Sequence, residues 1–302
     1  MKTFDSSQDK IEYSKELIRC WYEAWDGKVC VSFSGGKDST VLMHLARSVH
    51  PDIIGLFSNT GLEYPEVVAH VKSFDNIIMV RPKKNFKWVL ENKGYPVISK
   101  KVARGISDLQ NSHEGNQDTC NLRITGYNKK GVYCPSFKLP KKWLKLADAP
   151  FKISDSCCNY IKKEPMKRIH KELGLHPITG QMISEGGQRE FALKNQQCNA
   201  YELKSPISNP MSYWDEQDVL EYIIKYDIKI PSVYGDIVKD ENGNLITTGE
   251  KRTGCMFCMF GVHLEKGENR FERMKRTHPQ QYDFIINKLN AKEVLDYLNI
   301  KY

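Results

Sequence analysis

Two groups of residues in this 302-residue chain have the types and spacing to do chemistry. The first is the run Ser34-Gly35-Gly36-Lys37-Asp38-Ser39, which follows the apolar stretch Val29 to Phe33. Adjacent glycines let a chain turn tightly and point backbone N–H groups at an anion, and a helix starting there adds its positive end. Ser32, Ser34 and Ser39 offer hydroxyls, Lys37 a mobile cation, and Asp38 completes the run. The spacing is not that of a Walker A loop, which needs four residues between its first glycine and Gly-Lys. The second group is two cysteine pairs, Cys157-Cys158 and Cys255-x-x-Cys258. Four thiolates could hold a structural zinc or a [4Fe–4S] cluster. Neighbouring cysteines fit awkwardly around one tetrahedral ion, whereas they can ligate adjacent irons of a cubane.

These residues need a scaffold, and the apolar periodicity supplies one. Ile11, Leu17, Ile18, Trp21 and Trp25 predict an N-terminal helix over 10–25. Strands are expected at Val29–Phe33, Asp52–Phe57 and Asn76–Val80, with helices at Asp38–His50 and Pro65–Phe74 between them. Strand-helix alternation at this spacing predicts an α/β fold with a doubly wound, mainly parallel sheet. Ser58, Asn59 and Thr60 then lie at the carboxyl end of the second strand, where such sheets bind ligands, and are expected near a nucleotide.

Farther along, Ile178–Ile183 reads as a strand, and Ser212–Tyr226 as a helix with Ser212 and Asp215 at capping-box spacing. Cys157 to Leu173 reads as helical with a kink allowed at Pro165. The Asn242-Gly243 pair predicts a hairpin, and the tail from Pro279 an amphipathic helix. Residues 110–156 break the rhythm and look inserted: a loop or hairpin, then a short helix near Lys141–Ala147. The expected segments are an N-terminal helix at 1–25, a main domain at 26–263 and a helical extension at 264–302.

A composition of 40% hydrophobic and 27% charged residues is that of a globular chain. The polar start and the lack of a long apolar run predict a cytoplasmic protein with no membrane partner. A net charge of +8 favours an anionic partner, nucleotide or nucleic acid. Six lysines between Asn128 and Lys145 are interleaved with Tyr133, Phe137 and Trp143, a pattern that suits nucleic acid and equally a solvated lysine face. Arg270, Arg273, Lys275 and Arg276 form a second basic patch. Of the nine cysteines, Cys20 and Cys30 read as core, and Cys120 and Cys134 as lone structural thiols or a redox pair.

The run SGGKDS after a strand resembles the PP-loop of the adenine-nucleotide alpha-hydrolase superfamily. The order PP-loop, CC pair, CxxC is similar to that of the assimilatory sulfonucleotide reductases within the phosphoadenylyl-sulfate (PAPS) reductase family. "NTGLEYPEV", "TGQMISEGGQRE" and "SPISNPMSYWDEQDVLEYI" resemble that family's further segments, with Asn59 and Gly186 departing from its pattern and Glu185, Arg189, Trp214, Asp218 and Tyr222 matching it. "RTGCMFCMFGVH" and the stretch from Cys157 look most like members found in phage and mobile elements.

The resemblance implies PAPS, APS or ATP at the loop, with Mg2+ as a further candidate, and a [4Fe–4S] cluster on Cys157, Cys158, Cys255 and Cys258. It also implies Lys37, Arg189 and Arg252 as stabilisers of developing charge, a thioredoxin-like reductant or sulfur donor, and a homodimer as one candidate assembly. Two reactions follow, sulfonucleotide reduction or ATP-dependent sulfur insertion into an acceptor such as nucleic acid. A non-catalytic nucleotide- or nucleic-acid-binding role is the alternative. The family's nucleophilic cysteine follows the CxxC, and none follows Cys258 here, so Cys120, Cys134 or Cys198 is expected in that role if the first reaction holds.

Overall fold

The computed structural model describes residues 3–302. The chain opens with α1 (Ser7–Ala24), β1 (Val29–Ser32), α2 (Lys37–Val49), β2 (Ile54–Ser58), α3 (Pro65–Lys72) and β3 (Ile77–Val80). It continues through α4 (Phe86–Asn92), β4 (Val97–Ile98), α5 (Lys100–Gln110), α6 (Gln117–Thr125) and a 3-10 helix at Lys141–Asp148. Next come α7 (Glu164–Leu173), β5 (His176–Ile178), α8 (Gly187–Lys194), β6 (Asn199–Ala200), β7 (Ile207–Ser208), α9 (Glu216–Lys225), β8 (Ile237–Lys239) and β9 (Leu245–Thr247). The last elements are β10 (Met259–Phe260), α10 (Arg270–Thr277), α11 (Pro279–Asp283) and α12 (Ala291–Tyr297). They form two compact units: residues 1–59, 63–81 and 165–253 make the first, and residues 60–62, 82–164 and 254–302 the second.

The first unit is built on a six-stranded sheet in the order β3-β2-β1-β5-β7-β6. All neighbours run parallel except β6 against β7. Val29, Cys30 and Val31 are buried, as a strand inside a parallel sheet requires. α2 turns Val41, Leu42, Leu45 and Ala46 inward, and α1 contributes Ile11, Ile18 and Trp21 to the same core. Ser6 caps α1 by accepting the Asp9 N–H. The chain steps outward from β1 to β2 and β3, then resumes on the other flank of β1 with β5. That reversal between β1 and β5 is the topological switch point, where loops diverge and leave a crevice.

Several local expectations are revised. The strand expected at Ile178–Ile183 is His176–Ile178, and Ile183 begins a 3-10 turn. α9 starts at Glu216 because Asp215 is its N-cap, boxed with Asp218, while the Ser212 hydroxyl donates to Asn209 O. Cys20 is exposed on α1, whereas Cys30 is buried. The tail is three short helical pieces, with a π turn at Phe284–Lys288 and a break at Asn290, whose φ is +53°. The Asn-Gly hairpin forms as β8 and β9, pinned by Asp240 accepting the N–H groups of Asn242 and Asn244.

The second unit is organised around the extended segment 95–98. Tyr95 pairs with Ile153, its N–H donating to Lys152 O and its carbonyl accepting the Ser154 N–H. Two residues later β4 pairs in parallel with β10, matching Val97 to Met259 and Ile98 to Phe260. Gly94 allows this close approach, since its φ is +111° and a Cβ there would run into the Lys152 backbone. Ile98 sits at φ +63°, a conformation costly for a β-branched residue, and its carbonyl accepts the Gly261 N–H at 2.9 Å. No helix among the described residues is long and apolar enough to cross a membrane.

Candidate functional site

The loop Phe33–Gly36 leaves the carboxyl end of β1, and α2 begins at Lys37. Gly35 has φ +73°, and a Cβ there would lie 2.5 Å from Val71 Cγ2 and 2.8 Å from Val67 Cγ1. Gly36 has ordinary φ, yet a Cβ would stand 2.9 Å from both the Tyr234 and the Thr253 hydroxyl oxygens. Both glycines are therefore required by space, and Gly35 by backbone conformation as well. Inside the loop, Ser39 Oγ accepts the Ser34 N–H at 3.2 Å and lies 3.0 Å from Ser34 Oγ. The Lys37 N–H donates to the Tyr234 hydroxyl at 3.1 Å. The N–H groups of Gly35, Gly36, Asp38 and Ser39 meet no acceptor among the described residues. Four unpaired amides around one turn, at the start of a 13-residue helix, form an anion cradle.

The charged groups beside the loop have settled partners. Lys37, expected as a mobile cation, is buried; its Nζ donates to Lys251 O at 2.9 Å and lies 3.3 Å from a Glu216 carboxylate oxygen. Burial pushes the Asp38 carboxyl up, opposed by the charges of Lys37 and Arg252 and reinforced by Glu185 and Glu216. Glu185 is nearly covered and gathers two of the expected cations: it is ion-paired to Arg189, and its Oε1 lies 3.4 Å from Arg252 Nη1. Its other oxygen accepts the Met182 N–H at 3.2 Å.

A cavity of about 290 Å³ joins these groups and is lined by Lys37, Asp38, Ser184, Glu185, Glu216 and Arg252 among others. Its walls come from the segments after β1 and β5, which flank the switch point of the sheet, together with the start of α9 and the stretch after β9. Arg189 reaches it through Glu185 rather than lining it. Ser32 ends β1 half-buried, and Ser58 ends β2 half-buried. The Asn59 N–H donates to Val80 O at 2.9 Å, extending the sheet by one bond. Thr60 begins the second unit, where its hydroxyl accepts the Leu62 N–H. Tyr234, Thr253, Ser184 and Glu216 were not foreseen; Glu216 alone carried a signal, as the first helical residue after a capping aspartate.

The four cysteines all fall in the second unit. Cys157 and Cys158 open a helical segment that widens into a π turn at Asn159–Lys163 before Pro165, which has no N–H to give. Their sulfurs are 3.9 Å apart. Cys255 and Cys258 flank a turn in which the Cys258 N–H donates to Cys255 O at 3.2 Å. The pairs converge because segment 95–98 binds Ile153, four residues before Cys157, and Met259, one residue after Cys258.

The thiols sense one another electrostatically. Cys157 is pushed up by donating to Cys158, by burial, and by the charges of Cys158, Cys258 and Cys255. Cys158 is held down to about 6, first by that hydrogen bond and then, against burial, by Lys100, Lys162 and Lys163. Burial raises Cys258. Among the described residues no three His, Cys, Asp or Glu side chains are grouped as a single metal ion would need. Four sulfurs from two segments, with Lys100, Lys162 and Lys163 acting on Cys158, are the residues that would hold a larger thiolate-ligated group. Of the other thiols, Cys120 is buried and donates to Asp108 O, Cys134 is half-buried, and Cys198 is half-buried beside Tyr13 in the first unit.

Residues 28–107, from β1 into α5, match the phosphoadenosine phosphosulfate reductase domain. An uncharacterised protein of Methanocaldococcus jannaschii is 34% identical over 115 residues, which is 34% of this chain and 28% of that one. Among solved structures, a PAPS reductase from Candida auris in a phosphate complex aligns over 80% of this chain and 100% of its own, at 17% identity and a TM-score of 0.41. A U34-tRNA thiolase from Methanococcus maripaludis with its [4Fe-4S] cluster aligns over 95% of this chain and 80% of its own, at 13% identity and a TM-score of 0.38.

Proposed function

We propose that this protein is an adenosine-nucleotide-dependent enzyme of sulfur chemistry. It binds PAPS, APS or ATP at the loop after β1 and holds a [4Fe–4S] cluster on Cys157, Cys158, Cys255 and Cys258. The observation that carries the reading is the set of four unpaired amides, Gly35, Gly36, Asp38 and Ser39, at the switch point of a sheet whose matched segment is a sulfonucleotide-reductase domain.

The loop amides take the phosphate or sulfate oxygens, which rigid donors do without reorganisation. Arg252, whose partner Glu185 is also paired with Arg189, lines the cavity and meets the negative charge that develops as adenosine phosphate leaves. Lys37 sets the local potential from its fixed place under Lys251. When bound, the cluster supplies a site for sulfur or electron transfer, and Lys100, Lys162 and Lys163 balance its charge.

Sulfonucleotide reduction and ATP-dependent sulfur transfer both need this cradle, and their products separate them. Protein purified without oxygen is expected to contain iron and acid-labile sulfide and to turn over a nucleotide. Adenosine phosphate with sulfite marks reduction; AMP with pyrophosphate marks sulfur transfer. Retention of unaltered nucleotide by iron-loaded protein, with every candidate substrate and reductant supplied, would refute the enzymatic reading.

A further inference from the structure

The positive charge of this protein is concentrated in one place. The chain has 45 Lys and Arg against 37 Asp and Glu, a net of +8. Residues 119–147 contain seven of those cations and no acid, so all the other residues together carry a net of only +1. Of these cations only Arg123 is buried, neutralised by Asp108 at 2.8 Å. Lys129, Lys130, Lys141, Lys142 and Lys145 are exposed.

The same segment presents aromatic faces to solvent. Tyr127 and Tyr133 pair across a short antiparallel bridge, 53% and 48% exposed, with ring centroids 5.1 Å apart. Phe137 is 47% exposed. Lys129 and Lys130 lie in the turn between the two tyrosines, and Lys138 Nζ stands 5.8 Å from the Tyr133 ring. The turn is rigid: Asn128 Oδ1 accepts the N–H groups of Lys130 and Val132 at 2.9 and 3.0 Å, and Gly131 takes φ +74°. Adjacent exposed rings rimmed by charged residues are the kind of patch that marks an interaction surface.

We infer that the hairpin of residues 127–133 and the lysines flanking it form a docking surface for RNA with unpaired bases. Lysines neutralise a phosphate backbone, and every base has a π-face that a tyrosine can stack on. RNA is favoured because its loops display splayed, unstacked bases, whereas the bases of duplex DNA are stacked inside.

The inference does not depend on the nucleotide loop, and its test uses the full chain with no nucleotide added. Binding of a fluorescent RNA stem–loop is followed by anisotropy across a salt series. Five phosphate contacts predict a slope of log affinity against log salt near about −3.5. Replacing Lys129→Ala and Lys130→Ala together should flatten the slope by about 1.4. Tyr127→Ala or Tyr133→Ala should weaken binding roughly 5- to 150-fold with the slope unchanged, and Tyr→Phe at either position should keep the affinity. Far-ultraviolet circular dichroism confirms that each variant is folded. Absent or salt-independent binding would overturn the inference. So would unaltered affinity in folded Tyr133→Ala, or tighter binding to a fully paired RNA duplex or to anionic vesicles.

Discussion

The loop after β1 and the two cysteine pairs are encoded in the chain in two different ways. The loop is contiguous: from Ser34 to Ser39, one strand end, two glycines and one helix start supply every donor. Its tertiary partners, Tyr234 and Thr253, crowd Gly36, and the Tyr234 hydroxyl accepts the Lys37 N–H, but they add no element that an anion would need. The quartet is discontinuous. Two pairs separated by nearly a hundred residues are held on one framework because segment 95–98 pairs with both flanks, at Ile153 and at Met259–Phe260. A contiguous site is encoded by local conformation and tolerates distant change, whereas a discontinuous one depends on the pairing that assembles it.

The comparison yields three experiments. The largest effect is expected at the quartet, where replacing a cysteine of either pair, Cys157→Ala or Cys258→Ala, should each reduce iron in anaerobically prepared protein to background. Retention of full iron by one variant would show that the pairs do not serve one group. Next comes Gly35→Ala, which forces a side chain into φ +73° against Val67 and Val71. Strain and overpacking together should cost about 2–5 kcal/mol of unfolding free energy, read from denaturant midpoints. The loop's contiguity is tested by the iron content of that variant, which should be normal.

The smallest effect is expected from Lys37→Ala. Loss of a charge-assisted contribution of about 1.5–3 kcal/mol would weaken nucleotide binding roughly 10- to 150-fold by calorimetry. An unchanged dissociation constant would show that its charge is spent on Lys251 and Glu216.

Much of the first unit was legible in the residues. Burial on both faces makes β1 and β2 continuous apolar runs, and the alternation with amphipathic helices dictates a parallel sheet. The loop was legible for the same reason: its conformation is set by adjacent glycines and the helix that follows. The cap of α9 was placed three residues early because Ser212 and Asp215 have the same spacing as Asp215 and Asp218, and only hydrogen bonding distinguishes them. Lys37 looked mobile because sequence carries no information about Lys251 and Glu216 lying over it.

By itself the sequence determined what local chemistry determines: the strand-loop-helix turn with its glycines, the spacing of the two cysteine pairs, and the concentration of charge in residues 119–147. The tertiary structure alone decided which cations share Glu185, where the cavity opens, and that segment 95–98 draws the cysteine pairs together. The reason is that backbone conformation and side-chain type act over a few residues, whereas strand pairing and burial join residues whose separation along the chain leaves no trace in either.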